Sequence, residues 1–130
     1  MPTKIYAVDF DGVITKHSRY PNLGEPNIEM IRWLKKQQED GVTLILWTCR
    51  TNKYGEELLD DAIRFCKAYG LEFDYINENH PEMVQKYGND SRKVFAHLYI
   101  DYCFKTPWEI IEYTPKEKPK LPLRKAKIAR

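Results

Sequence analysis

Short apolar stretches alternate with longer amphipathic stretches along this chain. Apolar residues recur at spacings of three and four over 26–40 and 55–69, which is typical of amphipathic helices. Stretches rich in β-branched and aromatic residues are typical of strands, and they lie at 4–10, 42–47, 73–76 and 97–100. This order favours an open, mostly parallel α/β sheet with helices on both faces.

The remaining segments are polar and contain turn residues. Loops are predicted at 16–25 and 77–90, a short helix at 91–96, and one or two helical turns at 107–113. No gap between the predicted elements is long enough for a sizeable inserted domain. The sequence therefore predicts one domain over residues 1–114.

Charge is distributed unevenly along the chain. The net charge of the 130 residues is +2, but residues 115–130 contain seven Lys or Arg and one Glu, so residues 1–114 are net acidic. We expect the basic tail to be a flexible extension, and the acidic body disfavours nucleic acid as the main partner. Because no apolar run approaches the ~20 residues of a membrane span and the chain opens without a signal peptide, we expect a cytoplasmic protein with no membrane partner.

The cysteines give little sign of a metal or disulfide framework. They are Cys49, Cys66 and Cys103, an odd number with no CxxC spacing. This pattern is typical of reduced thiols.

Polar residues directly follow three of the predicted strands. Asp9 and Asp11 come at the end of the first strand, Thr48 follows the second, and Asp101 follows the fourth. In open parallel sheets, ligands bind outside the carboxyl ends of the strands. These four residues are therefore candidates for one functional site.

The spacing of Asp9 and Asp11 suits a shared pocket. Residues two apart in an extended segment face the same way, and Gly12 permits a sharp turn after them. Two carboxylates in one pocket repel each other, so they need a cation or a shared proton. Mg²⁺ takes oxygen ligands and often only one or two carboxylates, which makes it the expected cation, with Asp101 as a further acid.

Four motifs together resemble those of the haloacid dehalogenase-like phosphatase superfamily. Residues 9–15, DFDGVIT, are similar to its DxDGxx[TV] motif after a hydrophobic strand. Residues 44–48, Lys93 and residues 98–101 are similar to its second, third and fourth motifs. They occur in the order that the family has, within residues 4–105. The resemblance implies a Mg²⁺-dependent phosphatase on a Rossmann-like core.

The resemblance also implies a role for each matching residue. Asp9 would be the nucleophile that becomes a phospho-aspartate, and Asp11 would act first as general acid and then as general base. Thr48 and Lys93 would stabilise the charge of the phosphoryl group. Asp9, the main-chain carbonyl of Asp11, and Asp101 would hold Mg²⁺. The expected substrate is a small phosphomonoester, such as a nucleotide or a sugar phosphate.

Several further residues have open assignments. Arg50 has a planar fork that suits phosphate, unless it is a surface arginine. Asn79 follows the third strand and is a candidate contact for the leaving group, unless the segment is an ordinary polar loop. Lys86 is the second choice for the catalytic lysine and Lys105 the third. Many relatives carry a second acid where this chain has Tyr102, so we expect weaker metal binding.

The functional alternatives start from what this chain lacks. Relatives often carry a cap domain, for which this chain has no room, so the open site would admit a bulky substrate or be covered by a partner subunit. One alternative is a phosphatase of nucleic-acid ends that uses the basic tail. Another is a non-catalytic module that binds phosphate or metal on the same fold. A receiver-like signalling domain is weaker, because receivers lack the DxDG pair on the first strand.

Overall fold

A four-stranded parallel sheet is the centre of the fold. The computed structural model describes residues 4–103 and 107–113. Its strands are β1 (Ile5–Val8), β2 (Thr43–Leu46), β3 (Tyr75–Ile76) and β4 (Leu98–Ile100). They lie in the order β3-β2-β1-β4, and each neighbouring pair is parallel. The prediction of an open, parallel α/β sheet is confirmed.

Helices cover both faces of this sheet. They are α1 (Ile28–Glu39), α2 (Leu58–Ala68), α3 (Pro81–Tyr87) and α4 (Pro107–Tyr113). Because side chains alternate along a strand, β1 contributes to two apolar layers. Tyr6 and Val8 pack with buried residues of α1 and α2. Ile5 and Ala7 pack on the other face with Met83 of α3.

Helix α3 lies inside the segment 77–90 that was predicted to be a loop. The ring nitrogen Nδ1 of His80 accepts a first-turn backbone N–H at 3.1 Å, and Pro81 occupies the first helical position. Gly88 ends the helix with φ +77°. The predicted helix at 91–96 is wrong, since that segment is irregular. The residues that begin and end α3 therefore indicate its position better than the apolar periodicity of the segment does.

Helix α1 begins two residues later than predicted. Asn27 caps it, because its side-chain oxygen accepts a first-turn backbone N–H at 3.2 Å. Pro26, predicted to open the helix, instead forms an isolated antiparallel bridge with Thr15. This bridge holds the two ends of the loop from Thr15 to Pro26 next to each other, shortly after the end of β1.

The chain turns sharply where β1 ends. The carbonyl of Phe10 accepts the N–H groups of Val13, Ile14 and Thr15 at 3.2, 2.9 and 3.3 Å. This turn and the loop closed by the bridge make up the connection from β1 to α1. The described connection is therefore a loop rather than an inserted domain.

Two sequence expectations fall on parts of the chain that the structure does not describe. The basic tail at 115–130 and Lys105 lie outside the described residues. Among the described helices, none combines the length and the apolar character needed to cross a membrane.

Candidate functional site

Two adjoining cavities open at the carboxyl edge of the sheet. The larger, of about 380 Å³, is lined by Asp9, Asp11 and Thr48 and is named the Asp11 cavity. The second, of about 260 Å³, is lined by Asp9, Lys93 and Asp101 and is named the Lys93 cavity. Asp9 lines both. The structure thus brings the five residues predicted for catalysis and metal binding to one edge.

Asp9 is half-buried between β1 and β4. Its N–H donates to the carbonyl of Ile100 at 2.9 Å, and its Oδ1 accepts the N–H of Phe10 at 2.8 Å. Burial raises the pKa of Asp9 to about 6, and the charges of Asp101 and Asp11 add to that rise while the Phe10 N–H opposes it. A cation beside Asp9 would therefore favour its ionised form.

Asp11 is paired with Arg50 through both carboxylate oxygens. Nε of Arg50 donates to Oδ2 at 2.9 Å, and Nη2 donates to Oδ1 at 2.7 Å. The Arg50 side chain is 0% exposed and that of Asp11 is 16% exposed. The bidentate pairing fixes the plane of the Asp11 carboxylate relative to the plane of the Arg50 guanidinium. An arginine buried this deeply also needs the carboxylate, because an unpaired buried charge is strongly destabilising.

The remaining N–H groups of Arg50 bind main-chain carbonyls from two segments. Nη1 donates to Pro21 at 3.2 Å and to Leu58 at 3.4 Å, and Nη2 donates to Asn22 at 2.9 Å. Together with the two bonds to the carboxylate, these contacts engage all five donors of the guanidinium. Arg50 therefore fastens the loop after β1 and the start of α2 to the end of β2.

Aromatic rings enclose the same guanidinium. Its central carbon lies 5.0 Å from the ring centroid of Phe10 and 5.2 Å from that of Tyr20. Arg50 was predicted to bind substrate phosphate or to lie at the surface, and neither setting is observed. With no free donor and no exposed area, it positions Asp11 and the loop rather than clasping a phosphate.

Thr48 is held in place by neighbouring loops. Its N–H donates to the side-chain oxygen of Asn77 at 2.8 Å, and its Oγ1 accepts the N–H of Arg50 at 3.2 Å. Asn77 adopts φ +53°, a conformation that asparagine tolerates better than most residues. Among the described residues, none accepts the hydroxyl hydrogen of Thr48. That hydrogen is available to a bound phosphoryl oxygen.

Lys93 is the candidate lysine that the structure places at the site. Its Nζ lies 5.5 Å from the ring centroid of Tyr99, and no acidic side chain in the described ranges pairs with it. Lys86 lies instead in the last turn of α3, with Nζ 5.4 Å from the ring centroid of Tyr87, and lines neither cavity. The exposed ammonium of Lys93 is free to meet an anion.

Asn79 braces the segment that carries Lys93. Its amide nitrogen donates to Oδ1 of Asp90 at 2.8 Å and to the carbonyl of Ser91 at 2.9 Å, and its oxygen accepts the N–H of Phe95 at 2.6 Å. Asn79 is only 7% exposed. Both N–H donors of its amide are thus engaged within the protein, so Asn79 positions the segment that carries Lys93, and its predicted contact with a leaving group stays a prediction.

A solved structure of a conserved protein coded by a locus of Bacteroides thetaiotaomicron is similar to this chain. The two share 41% identical residues over 83% of this chain and 85% of that protein, with a TM-score of 0.63. This chain belongs to the family of that conserved protein. No protein-family model matches the chain, and no curated protein matches it. The likeness concerns the fold, so the chemistry must be inferred from the site.

The donor set at the edge fits a magnesium ion held largely by water and substrate. Across the described residues, no group of three or more His, Cys, Asp or Glu side chains is placed to hold a metal ion. Asp9 and Asp101 nevertheless line one cavity, and both carboxylate oxygens of Asp11 are bound by Arg50. Two carboxylates with a main-chain carbonyl, waters and a phosphate oxygen are a common Mg²⁺ environment.

Sequence reasoning missed several residues that shape the cavities. The ring of Tyr102 covers the turn at Gly12, where an added Cβ would lie 2.8 Å from the ring. Cys103 lines both cavities, and its N–H donates to Oδ1 of Asp101 at 2.9 Å. Tyr20 encloses the arginine described above. The Asp-Gly dipeptide signalled the turn, but nothing local in the sequence signals which rings lie over it.

Proposed function

We propose that this chain is a Mg²⁺-dependent phosphomonoesterase that forms a phospho-aspartate on Asp9. The haloacid dehalogenase-like motifs suggest this chemistry. The observation that carries the proposal is the Lys93 cavity, where the half-buried carboxyl of Asp9 meets Asp101 and an exposed, unpaired lysine. A nucleophile, a second acid for a cation and a positive charge are the groups that this reaction needs.

Asp9 performs the first displacement. Its carboxylate oxygen attacks phosphorus, the bond from phosphorus to the ester oxygen breaks, and the leaving oxygen departs with the electron pair and takes up a proton from the carboxyl of Asp11. Water, which gives a proton back to Asp11, then attacks the phospho-aspartate, which releases inorganic phosphate and restores Asp9. The hydroxyl hydrogen of Thr48 and the ammonium of Lys93 offset the charge that develops on the phosphoryl oxygens.

Asp11 keeps the acid–base role that the resemblance implies, under a constraint set by Arg50. Each carboxylate oxygen of Asp11 already accepts one N–H from that arginine. Each oxygen keeps a second lone pair, which can hold the proton while the contacts to Arg50 persist. The bonds of Arg50 to three main-chain carbonyls keep the arginine in place while this happens.

Asp9, Asp101 and the main-chain carbonyl of Asp11 would hold Mg²⁺. When bound, the ion supplies charge neutralisation at the phosphoryl group and at the two carboxylates. Because both cavities are open and the connection after β1 is a loop, the site admits small phosphorylated metabolites such as nucleotides or sugar phosphates, and a partner subunit has room to cover it.

A non-catalytic module that binds phosphate or metal is the second candidate. The observation in its favour is the pairing of Asp11 with buried Arg50, which engages the carboxylate that acid–base chemistry would use. The alternative of a nucleic-acid end phosphatase depends on the basic tail, which lies outside the described residues.

Hydrolysis of p-nitrophenyl phosphate, with Mg²⁺ and with EDTA, tests the main proposal. We expect Mg²⁺-dependent turnover by the wild type and a loss of about 10³-fold or more in Asp9→Asn. Asp40→Asn is the matched control, since Asp40 is an exposed partner of Lys36 at the end of α1. That control should retain full activity. Mass spectrometry of acid-quenched protein should place a phosphoryl group on Asp9.

The contrary outcomes separate the two candidates. Turnover that survives in Asp9→Asn would overturn the phospho-aspartate mechanism. A folded wild type that binds Mg²⁺ and phosphate by calorimetry, but turns over no phosphomonoester in a broad panel, would favour the non-catalytic module.

A further inference from the structure

A third cavity lies next to the Lys93 cavity, on the face of the sheet covered by α3. Its volume is about 220 Å³, and it shares Lys93 and Tyr99 with the Lys93 cavity. Beyond those two residues its walls include Met83, Tyr87 and Phe95, and it is named the aromatic pocket. The aromatic pocket and the cavity that contains the proposed nucleophile therefore have the side chains of Lys93 and Tyr99 in common.

The walls of the aromatic pocket offer flat apolar surface. The rings of Tyr87 and Phe95 lie 6.1 Å apart between centroids, at an interplanar angle of 33°. Tyr87 is 56% exposed, so its ring surface is open to solvent, whereas Met83 is 2% exposed and belongs to the packed core beneath. Stacking against such rings stabilises planar groups, whichever base or ring they belong to.

The pocket is pre-formed by the brace at Asn79. The three hydrogen bonds of Asn79 fix the segment from Asp90 to Phe95, and Lys93 lies within that segment. The hydroxyl of Tyr99 donates to the carbonyl of Val94 at 2.6 Å, which fixes the shared wall. A pre-formed pocket loses little conformational entropy on binding, so it can add affinity to the phosphate site.

The size of the cavities gives the second argument. Ligand sites typically measure about 300 Å³ or more, and neither the Lys93 cavity nor the aromatic pocket reaches that volume alone. The volumes of the two neighbouring cavities, which share Lys93 and Tyr99 in their walls, together exceed it. A phosphate in the first cavity and a planar group in the second would occupy the combined space.

We propose, building on the phosphatase function above, that the substrate is a phosphomonoester whose leaving group carries a planar aromatic ring. The phosphoryl group lies by Asp9 and Lys93, and the ring stacks in the aromatic pocket against Tyr87 and Phe95. Tyr87 is then a specificity-determining residue, and Asn79 is a positioning residue for the pocket wall.

Matched substrate pairs test this proposal without changing the bond that breaks. A nucleoside 5′-monophosphate is compared with ribose 5-phosphate, and 2-phenylethyl phosphate is compared with ethyl phosphate. We expect the ring-bearing member to have a kcat/KM higher by about tenfold or more in at least one pair, because base and ring stacking commonly contributes that much. The pair that responds tells whether the ring is a nucleobase or a simple aryl group.

Variants place the preference in the pocket. Tyr87→Ala should remove the preference for the ring and leave the ringless substrates unchanged. Tyr69→Ala is the matched control, because Tyr69 is a partly exposed tyrosine at the end of α2, 5.0 Å from the ring of Phe65. It should keep the preference. Equal kcat/KM within both pairs, or a preference that survives in Tyr87→Ala, would overturn the inference while the phosphatase function stands.

Binding to Asp9→Asn separates this inference from the proposed reaction. Calorimetry with Mg²⁺ compares the affinity of each ring-bearing ester with that of its ringless partner, which requires no turnover. Tighter binding of the ring-bearing ester, lost in Asp9→Asn/Tyr87→Ala, supports the pocket even if no ester is hydrolysed. Equal affinity of the two members in both pairs overturns the pocket whether or not the enzyme is active.

Discussion

Arg50 and Lys93 are two cations that line different cavities at Asp9, and their surroundings differ completely. Arg50 is 0% exposed and has five hydrogen bonds to the protein. Lys93 is exposed, and its ammonium contacts only the ring of Tyr99 among the described residues. The same formal charge therefore serves two purposes. The buried arginine fixes the geometry of Asp11, and the exposed lysine is free for a substrate.

The comparison also shows why arginine and lysine are not exchanged between the two places. A planar fork with five donors can join a carboxylate and three carbonyls at once, whereas an ammonium has three donors and binds water strongly. An unpaired ammonium at the rim can follow a phosphoryl group as its charge changes. The difference leads to four predictions. They concern Arg50, Lys93, Asn79 and Asp9 in turn.

The largest expected effect on stability is that of Arg50→Lys. The ammonium cannot reach all the acceptors, so Asp11 and the carbonyls lose partners, and the free energy of unfolding should fall by about 3 kcal/mol. Urea denaturation measures it. Arg64→Lys is the control, because Arg64 forms exposed ion pairs with Asp61 and Glu57, and its change should stay within about 0.5 kcal/mol. Equal stability of both variants would show that the buried network contributes little.

Lys93→Met should affect activity without affecting stability. Removing the ammonium should lower kcat by about 10²- to 10³-fold, because the charge on the phosphoryl group is no longer offset. The urea midpoint should remain that of the wild type. Lys86→Met is the matched control and should keep normal kinetics. If instead the Lys86 variant lost activity and the Lys93 variant kept it, the assignment of the catalytic lysine would be reversed.

Asn79→Ala should show both effects, since Asn79 is buried but acts on the segment that carries Lys93. Loss of its three hydrogen bonds leaves the N–H of Phe95 without its partner and should destabilise the protein by about 2 kcal/mol. The kcat should also fall, by less than in Lys93→Met. Gln85→Ala is the control, because Gln85 is an exposed amide in α3 that lines none of the three cavities, and it should change neither quantity. Wild-type kcat in Asn79→Ala would show that the brace is unimportant for Lys93.

The smallest expected effect concerns the pH dependence of stability at Asp9. Because the pKa of Asp9 is raised to about 6 in the folded protein, the folded state holds its proton more tightly than the unfolded chain does. The contribution to stability is therefore full below pH ~4, falls as pH rises to about 6, and stays lost above that.

Asp9→Asn should consequently stabilise the metal-free protein near pH 7.5. Since the carboxyl is almost half-exposed, solvent screening reduces the gain to about 1 kcal/mol. The gain should shrink at pH 4.5, which thermal melts in EDTA at both pH values would measure. A stabilisation of Asp9→Asn that is equal at both pH values would argue against a raised pKa.

Much of the fold could be predicted because its signals are local. The apolar run at 42–47 and the strand-like run at 4–10 indicated a parallel sheet covered by helices, whereas the strand order β3-β2-β1-β4 came only from the structure. Helix α3 was missed because a seven-residue helix shows too little periodicity, although the cap at His80 and Gly88 mark its ends. The helix expected at 91–96 was wrong because the brace at Asn79, a contact 11 to 16 residues away, decides that segment.

The candidate site likewise contains residues that the sequence could predict and residues whose contacts it could not. Asp9, Thr48 and Asp101 were predictable, because parallel strands bring their carboxyl ends to one edge of a sheet. Arg50 and Asn79 were recognised as polar residues near that edge, but their hydrogen-bond partners within the protein were not predicted. Both residue types suit phosphate or substrate binding when exposed, and only burial and the identity of the acceptors show that they are internal.

The amino-acid sequence by itself determined the alternating elements, the parallel sheet and the set of acids at its edge. Only the tertiary structure decided which cation is free, since Arg50 became enclosed by a loop from before α1 and Lys93 did not. Periodicity and strand-end position depend on neighbours along the chain. Burial and hydrogen-bond partnership depend on segments that folding brings together, so no local pattern could distinguish the arginine that holds the site from the lysine that is free to meet a substrate.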